Sequence, residues 1–177
     1  MATFGFHKDV DDIEEGVPMD EDWYEAEVAD EPKLMPNNAI KEVLGSDVTA
    51  DDDRIDDLLR TNEKAGINLV IPLKIVSDLP EFDGRTQRLF LQYPSEYDED
   101  RYDGIGQKKY DSKMANIALF ASKFGGSVDG DSVTILPGNK GMVYVTLGES
   151  RQNPGQKINS VDPFAGFKSL DEADEED

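Results

Sequence analysis

Apolar residues recur with a period of two in several stretches of this chain and at helical spacing in two others. In Trp23-Tyr24-Glu25-Ala26-Glu27-Val28 the alternation puts Tyr24, Ala26 and Val28 on one face, the pattern of a half-buried strand. Pro32 and Pro36-Asn37-Asn38 mark a loop, after which Ala39 to Leu44 reads as the strand resumed. Ile67 to Val76 carries the strongest strand signal, with Ile67, Leu69, Ile71, Leu73 and Ile75 on one face and Asn68, Pro72 and Lys74 on the other. Pro72 has no N–H to give a ladder, so an edge position or a bulge is expected there. Asp83-Gly84 supplies a turn, and Arg85 to Tyr93 returns with Leu89, Leu91 and Tyr93 inward and Arg88, Phe90 and Gln92 outward. Met142 to Leu147 alternates again, with Val143, Val145 and Leu147 together, and Lys157 to Val161 is the last strand.

Helical spacing appears first in Thr49 to Arg60, where Ile55, Leu58 and Leu59 share a face and Thr49 or Asp51 is placed to cap the start. The second run is Tyr110 to Phe124, with Met114, Ile117, Ala118, Ala121 and Phe124 as its core face and Gly125-Gly126 as its stop. The resulting order predicts a mostly β chain with some α. It is that of an OB-like five-stranded β-barrel with a helix between strands 3 and 4 and an acidic helical insertion after strand 1. Residues 1–22 read as an acidic N-terminal arm, 23–163 as the folded domain, and 164–177 as a flexible acidic tail.

Charge changes this picture in one respect. The net charge is −21, which by itself argues against a phosphate-bearing partner. Its distribution is uneven: residues 1–66 carry a net −14, residues 67–168 a net −1, and residues 169–177 a net −6. The middle of the chain is therefore near neutral, and a local cationic groove is compatible with it.

Composition excludes much chemistry. With no cysteine there are no disulfides, thiolate nucleophiles or Cys-based zinc sites. The one histidine, His7, has no Ser or Cys constellation to serve, so an enzyme is not expected. Asp98-Glu99-Asp100 lacks the spacing and the closing Glu of a calcium loop, and Gly104-Ile105-Gly106 lacks the Lys-Ser/Thr of a phosphate loop. No cofactor or metal is expected. No apolar run approaches a membrane span, and Met1 to Phe6 has no signal-peptide character, so a cytoplasmic location is expected, that of the host if the chain is phage-encoded.

Trp23 to Val28, Leu73 through the Gly84-Arg85 turn and the helix closing at Gly125-Gly126 resemble a family of phage single-stranded-DNA-binding proteins that share the OB barrel. So do Gly138-Asn139-Lys140-Gly141 before Val143-Tyr144-Val145, and Lys157-Ile158-Asn159 leading to Pro163-Phe164. The resemblance covers roughly residues 20–167. It implies binding of single-stranded DNA without strong sequence specificity during phage DNA replication or recombination. It also implies that the acids Asp171, Glu172, Asp174, Glu175, Glu176 and Asp177 recruit partners such as a polymerase, helicase or nuclease.

Such binding needs cations for phosphates and exposed rings for bases, roughly 1–3 kcal/mol per stacked base. The outward strand faces offer Lys74, Arg88, Phe90 and Tyr144. Flanking turns offer Arg85, Lys140, Arg151 and Lys157, and the start of the second helix offers Lys108, Lys109 and Lys113. The acidic tail is expected to compete with DNA for this cationic groove. Two alternatives stand beside this reading: an acidic DNA mimic that inhibits a host DNA-binding enzyme, and a structural or scaffold protein.

Overall fold

The structure is a computed structural model that describes residues 1–5, 17–102, 104–151 and 153–174. It is a mixed α/β fold built on a mostly antiparallel sheet. Strand β1 (Asp22–Val28) lies in the centre, with β3 (Ile67–Val76) on one side and β7 (Lys140–Glu149) on the other. Beyond β3 lies β4 (Thr86–Tyr93), and beyond β7 lies β8 (Lys157–Val161). The expected five-stranded barrel is not closed. Cα atoms of β4 and β8 come within 8 Å, yet among the described residues no ladder joins them. The 3-10 turn Pro163–Ala165 lies beside both β4 and β7.

β1 and the short β2 (Lys33–Pro36) run along the same edge of β3, in one direction, separated by a bulge. Four residues, 29–32, face only Ile71 and Pro72 across the ladder. The Pro72 carbonyl accepts from Ala29 N–H at 2.9 Å, so the N–H that proline lacks would have pointed at this same interruption. The bulge expected at Pro72 is therefore present, and it sits in the neighbouring strand.

Ala39 to Leu44 does not resume the strand. It lies in helix α1 (Asn38–Leu44), started by Asn37, whose side chain accepts from Ile40 N–H at 3.2 Å and donates to Lys64 C=O at 2.7 Å. Propensity favoured a strand less than the cap favoured a helix: one Asn satisfies a helix end and ties it to the next loop. Helix α2 (Ile55–Thr61) follows, and its start is organised by Asp52 rather than Thr49 or Asp51. The hydrogen bonds from Arg54 hold the Asp52 carboxyl down at about 2. Ile40, Ile55, Leu59 and Ala65 form a small satellite core between these helices, which also takes in Ile67.

The main core lies between the inner sheet face and helix α4 (Gly106–Lys123), which follows the one-turn α3 (Asp98–Arg101). Ala26, Val28, Ile71, Leu73, Leu89, Leu91, Val143 and Val145 meet Ile117, Phe120 and Phe124 there. Two core expectations are corrected. Met114 is 40% exposed because the buried face of α4 runs through Lys113, Ile117, Phe120 and Ala121, and Tyr93 is 41% exposed at the open end of β4. Gly125 (φ +74°) closes α4, with Gly126 N–H donating to Ala121 C=O at 2.7 Å in a Schellman arrangement. A small hairpin, β5 (Ser127–Asp129) and β6 (Ser132–Thr134), comes next.

Both expected domain limits move outward. Met19 is fully buried, and its backbone N–H and C=O bond the Asn159 side chain at 2.9 and 2.8 Å, so the folded unit begins before residue 22. At the other end Phe167 is in the core, edge-on to Phe120 at 5.1 Å. Residues Phe167–Lys168 pair with β7 as β9, and Leu170–Asp174 form helix α5. A tail beginning at 164 is thus not what the structure has: an apolar anchor outweighs the acidic composition around it.

Candidate nucleic-acid interface

The outer face of β3 and β4 carries Asn68 opposite Gln92, Val70 opposite Phe90, and Pro72 opposite Arg88. Period-two alternation forces these outward once Leu89 and Leu91 are buried inward. Phe90 is 51% exposed, an uncommon position for a phenylalanine ring in the middle of a ladder.

Two grooves meet on this face, and both are lined by Asn68 and Phe90. The larger, about 600 Å³, runs between β4 and the first turns of α4 and is bounded by Phe90, Gln92, Ile105, Lys108, Lys109, Ser112, Lys113, Asn116 and Phe164. The smaller, about 330 Å³, continues towards α1 and is lined by Met35, Asn37, Asn38, Lys41, Val70 and Arg88. Phe164, 91% exposed on the 3-10 turn, stands at the wall of the larger groove. Among the described residues no Asp or Glu lines either groove, in a chain with 39 of them in 177 residues. The trough therefore offers ammonium and guanidinium groups, two exposed rings and several amide side chains.

The loop before α4 is fixed by buried electrostatics. Lys113 Nζ lies 3.1 Å from both carboxylate oxygens of Asp98, which is fully buried and also accepts from Ser95 N–H at 3.0 Å. Lys109 Nζ sits 4.3 Å above the Tyr102 ring, and Tyr102 Oη donates to Glu63 C=O at 3.1 Å. Gly106 lets this loop close onto the helix: a Cβ there would stand 2.3 Å from Glu99 Cα.

The residues expected to contact DNA fall into three groups. Arg88, Phe90, Lys108 and Lys109 converge on the trough. Lys113 reaches its wall but is 7% exposed and committed to Asp98, so it is corrected from a phosphate contact to an internal strut. The rest lie elsewhere. Lys74 and Lys140 are exposed, but each stands opposite Glu27 across the ladder, one on either side. Arg85 folds back, its guanidinium 5.1 Å from the Phe82 ring and its Nε donating to Glu81 C=O at 2.9 Å. Tyr144 is half-buried and edge-on to Trp23 at 5.6 Å, under Lys168, whose Nζ is 4.5 Å from the indole. Arg151 is exposed between β7 and β8, and Lys157 begins β8 opposite Glu149.

Of the tail acids, Asp171 is exposed and Glu172 bonds Lys123 Nζ and Ser169 N–H, the Lys123 bond being the main reason its carboxyl titrates below the usual range. Asp174 ends α5; Glu175, Glu176 and Asp177 lie outside the described residues. Lys123 is about 22 Å along α4 from Lys108 at ~1.5 Å per residue, so Glu172 occupies a cation at the far end of the helix from the trough.

Lys41, Asn68, Gln92, Asn116 and Phe164 join the trough without having been singled out in the sequence. Alternation alone puts Asn68 and Gln92 on the outer face; Lys41 was hidden by the strand reading of its segment, and Phe164 by the reading of 164–177 as a flexible tail. No protein-family model matches the chain, and no curated protein matches it. Among the described residues no helix is long and apolar enough to cross a membrane.

Proposed function

We propose that this protein binds single-stranded nucleic acid, in first place DNA, along the outer face of β3 and β4. The observation that carries the reading is the trough that no carboxylate lines among the described residues, with exposed Phe90 and Phe164 among Lys41, Arg88, Lys108 and Lys109, in a chain of net charge −21. Cations neutralise phosphates and make affinity salt-dependent, rings accept bases of any identity, and amides such as Asn68 and Gln92 bond base edges without imposing a sequence. The order β4-β3-β1-β7-β8, with α4 between β4 and β7, matches the strand order of an OB fold save for the closing ladder. This supports an OB-like assignment. With the resemblance to phage single-strand binders, the proposal extends to a role in DNA replication or recombination. The proposed role is binding and protection, not catalysis.

The test is a titration of fluorescent oligo-dT with the native chain, with Phe90→Ala and with Arg88→Gln, at low and moderate salt. Phe90→Ala is expected to lose about 1–3 kcal/mol of binding free energy at both salts. Arg88→Gln is expected to weaken binding and flatten its salt dependence. Absence of binding by the native chain at low salt overturns the reading and favours the acidic-mimic or scaffold alternative.

A further inference from the structure

A third groove, of about 520 Å³, lies on another side of α4, between the helix, the β5–β6 hairpin and the β2 segment. Its walls are apolar and open to solvent: Leu34 is 42% exposed, Met114 40%, Val128 48%, Val133 38% and Leu136 56%. Exposed apolar side chains grouped in this way are uncommon on a free surface. The hairpin lies against α4, and every residue of its two three-residue strands keeps an exposed surface beside the groove.

The charge of the groove is the reverse of the trough's. Glu31 and Asp131 line it, and no lysine or arginine among the described residues does. A second copy of this chain would bring a like-charged rim to it, which disfavours self-association there. A segment that places apolar side chains at i, i+4 and i+7, with lysine or arginine flanking them, satisfies both the apolar floor and the acidic rim.

We infer that this groove is a docking site for a basic amphipathic helix of a partner protein. The molecule then separates two tasks by charge: nucleic acid on the trough that Lys41, Arg88, Lys108 and Lys109 line, and a cationic protein segment on the groove that Glu31 and Asp131 line. The inference does not depend on the nucleic-acid reading, because different residues serve each site.

The probe is a labelled peptide of about 15 residues with leucine at i, i+4 and i+7 and lysine between, long enough to form a helix on binding. Two controls accompany it: the same composition scrambled to abolish the apolar face, and the same pattern with glutamate for lysine. Fluorescence anisotropy with the full chain is expected to give micromolar affinity for the basic amphipathic peptide and at least about tenfold weaker binding for both controls. Met114→Gln with Leu136→Gln removes apolar surface without altering charge, and is expected to weaken the peptide about tenfold while oligo-dT affinity stays unchanged. Leu34→Gln, on another element, is a second variant should the first pair unfold. Equal binding of the scrambled peptide would show charge attraction alone, and unaltered binding by the folded variants would place the peptide elsewhere. A native dimer split by the Met114 and Leu136 changes would assign the groove to a second copy. Each of these three results overturns the inference.

Discussion

Gly141 sits in β7 under the ring of Phe124; a Cβ there would meet ring carbons at 2.5 to 2.9 Å. Both partners are buried, so neither has room to yield. Gly141→Ala is expected to lower stability by about 1–3 kcal/mol, seen as a lower urea midpoint at unchanged slope. An unchanged midpoint would mean that the ring and strand can part without cost. The same scale separates cations that look alike in the sequence. Lys113 and Lys108 look alike in a string of letters, yet one fills a buried site against Asp98 and the other faces the trough. Lys74 and Lys140 read as free cations until the register sets Glu27 between them. A lysine's role follows from its neighbours across space, which periodicity does not report.

At the scale of elements, α4 joins the core to the trough. Its start carries Lys108 and Lys109, and its interior face carries Lys113, whose bond to Asp98 ties the helix to α3. Lys113→Met takes the ammonium from a fully buried carboxylate, a change that typically costs about 3–5 kcal/mol. Amide exchange is expected to speed up first across residues 94–105, and adding Asp98→Asn to Lys113→Met should recover part of the loss. If the single change leaves that segment's exchange untouched, the pair does not hold the loop. The strand elements were legible because alternation against a buried face is a strong constraint: β1, β3, β4, β7 and β8 all stand close to their expected limits. α1 was not, because its Asn37 cap competes with a short apolar run that suits either structure.

At the scale of the whole molecule, acid tests how the C-terminal segment is held. Glu172 titrates below its ordinary value of 4.5, first because Lys123 bonds it and second because Ser169 N–H does. A carboxyl lowered in the folded state contributes stability above its ordinary value, and that contribution is lost as pH falls through the folded value. Amide protection of residues 169–172, corrected for intrinsic rates, is therefore expected to fall on acidification from about pH 6 to about pH 3.5. Lys123→Gln should remove most of that pH dependence. Protection that falls identically in Lys123→Gln would mean the contact does not secure α5. The same contact bears on the expected tail competition: in this structure the acidic segment engages Lys123, remote from the trough's cations.

What the sequence determined by itself is the five principal strands β1, β3, β4, β7 and β8, most of their inward positions and the outward position of Arg88 and Phe90, because local alternation and burial are one constraint seen twice. It also determined the near-neutral middle of an acidic chain. Only the tertiary structure decided that the barrel stays open, that Phe167 draws the C-terminal segment into the core, and that Lys113 turns inward. It alone decided that Lys41 and Phe164, more than 120 residues apart in the chain, line adjoining grooves with Phe90 between them. Such choices depend on contacts between distant segments, and their energies are set by what each group meets after the chain has folded.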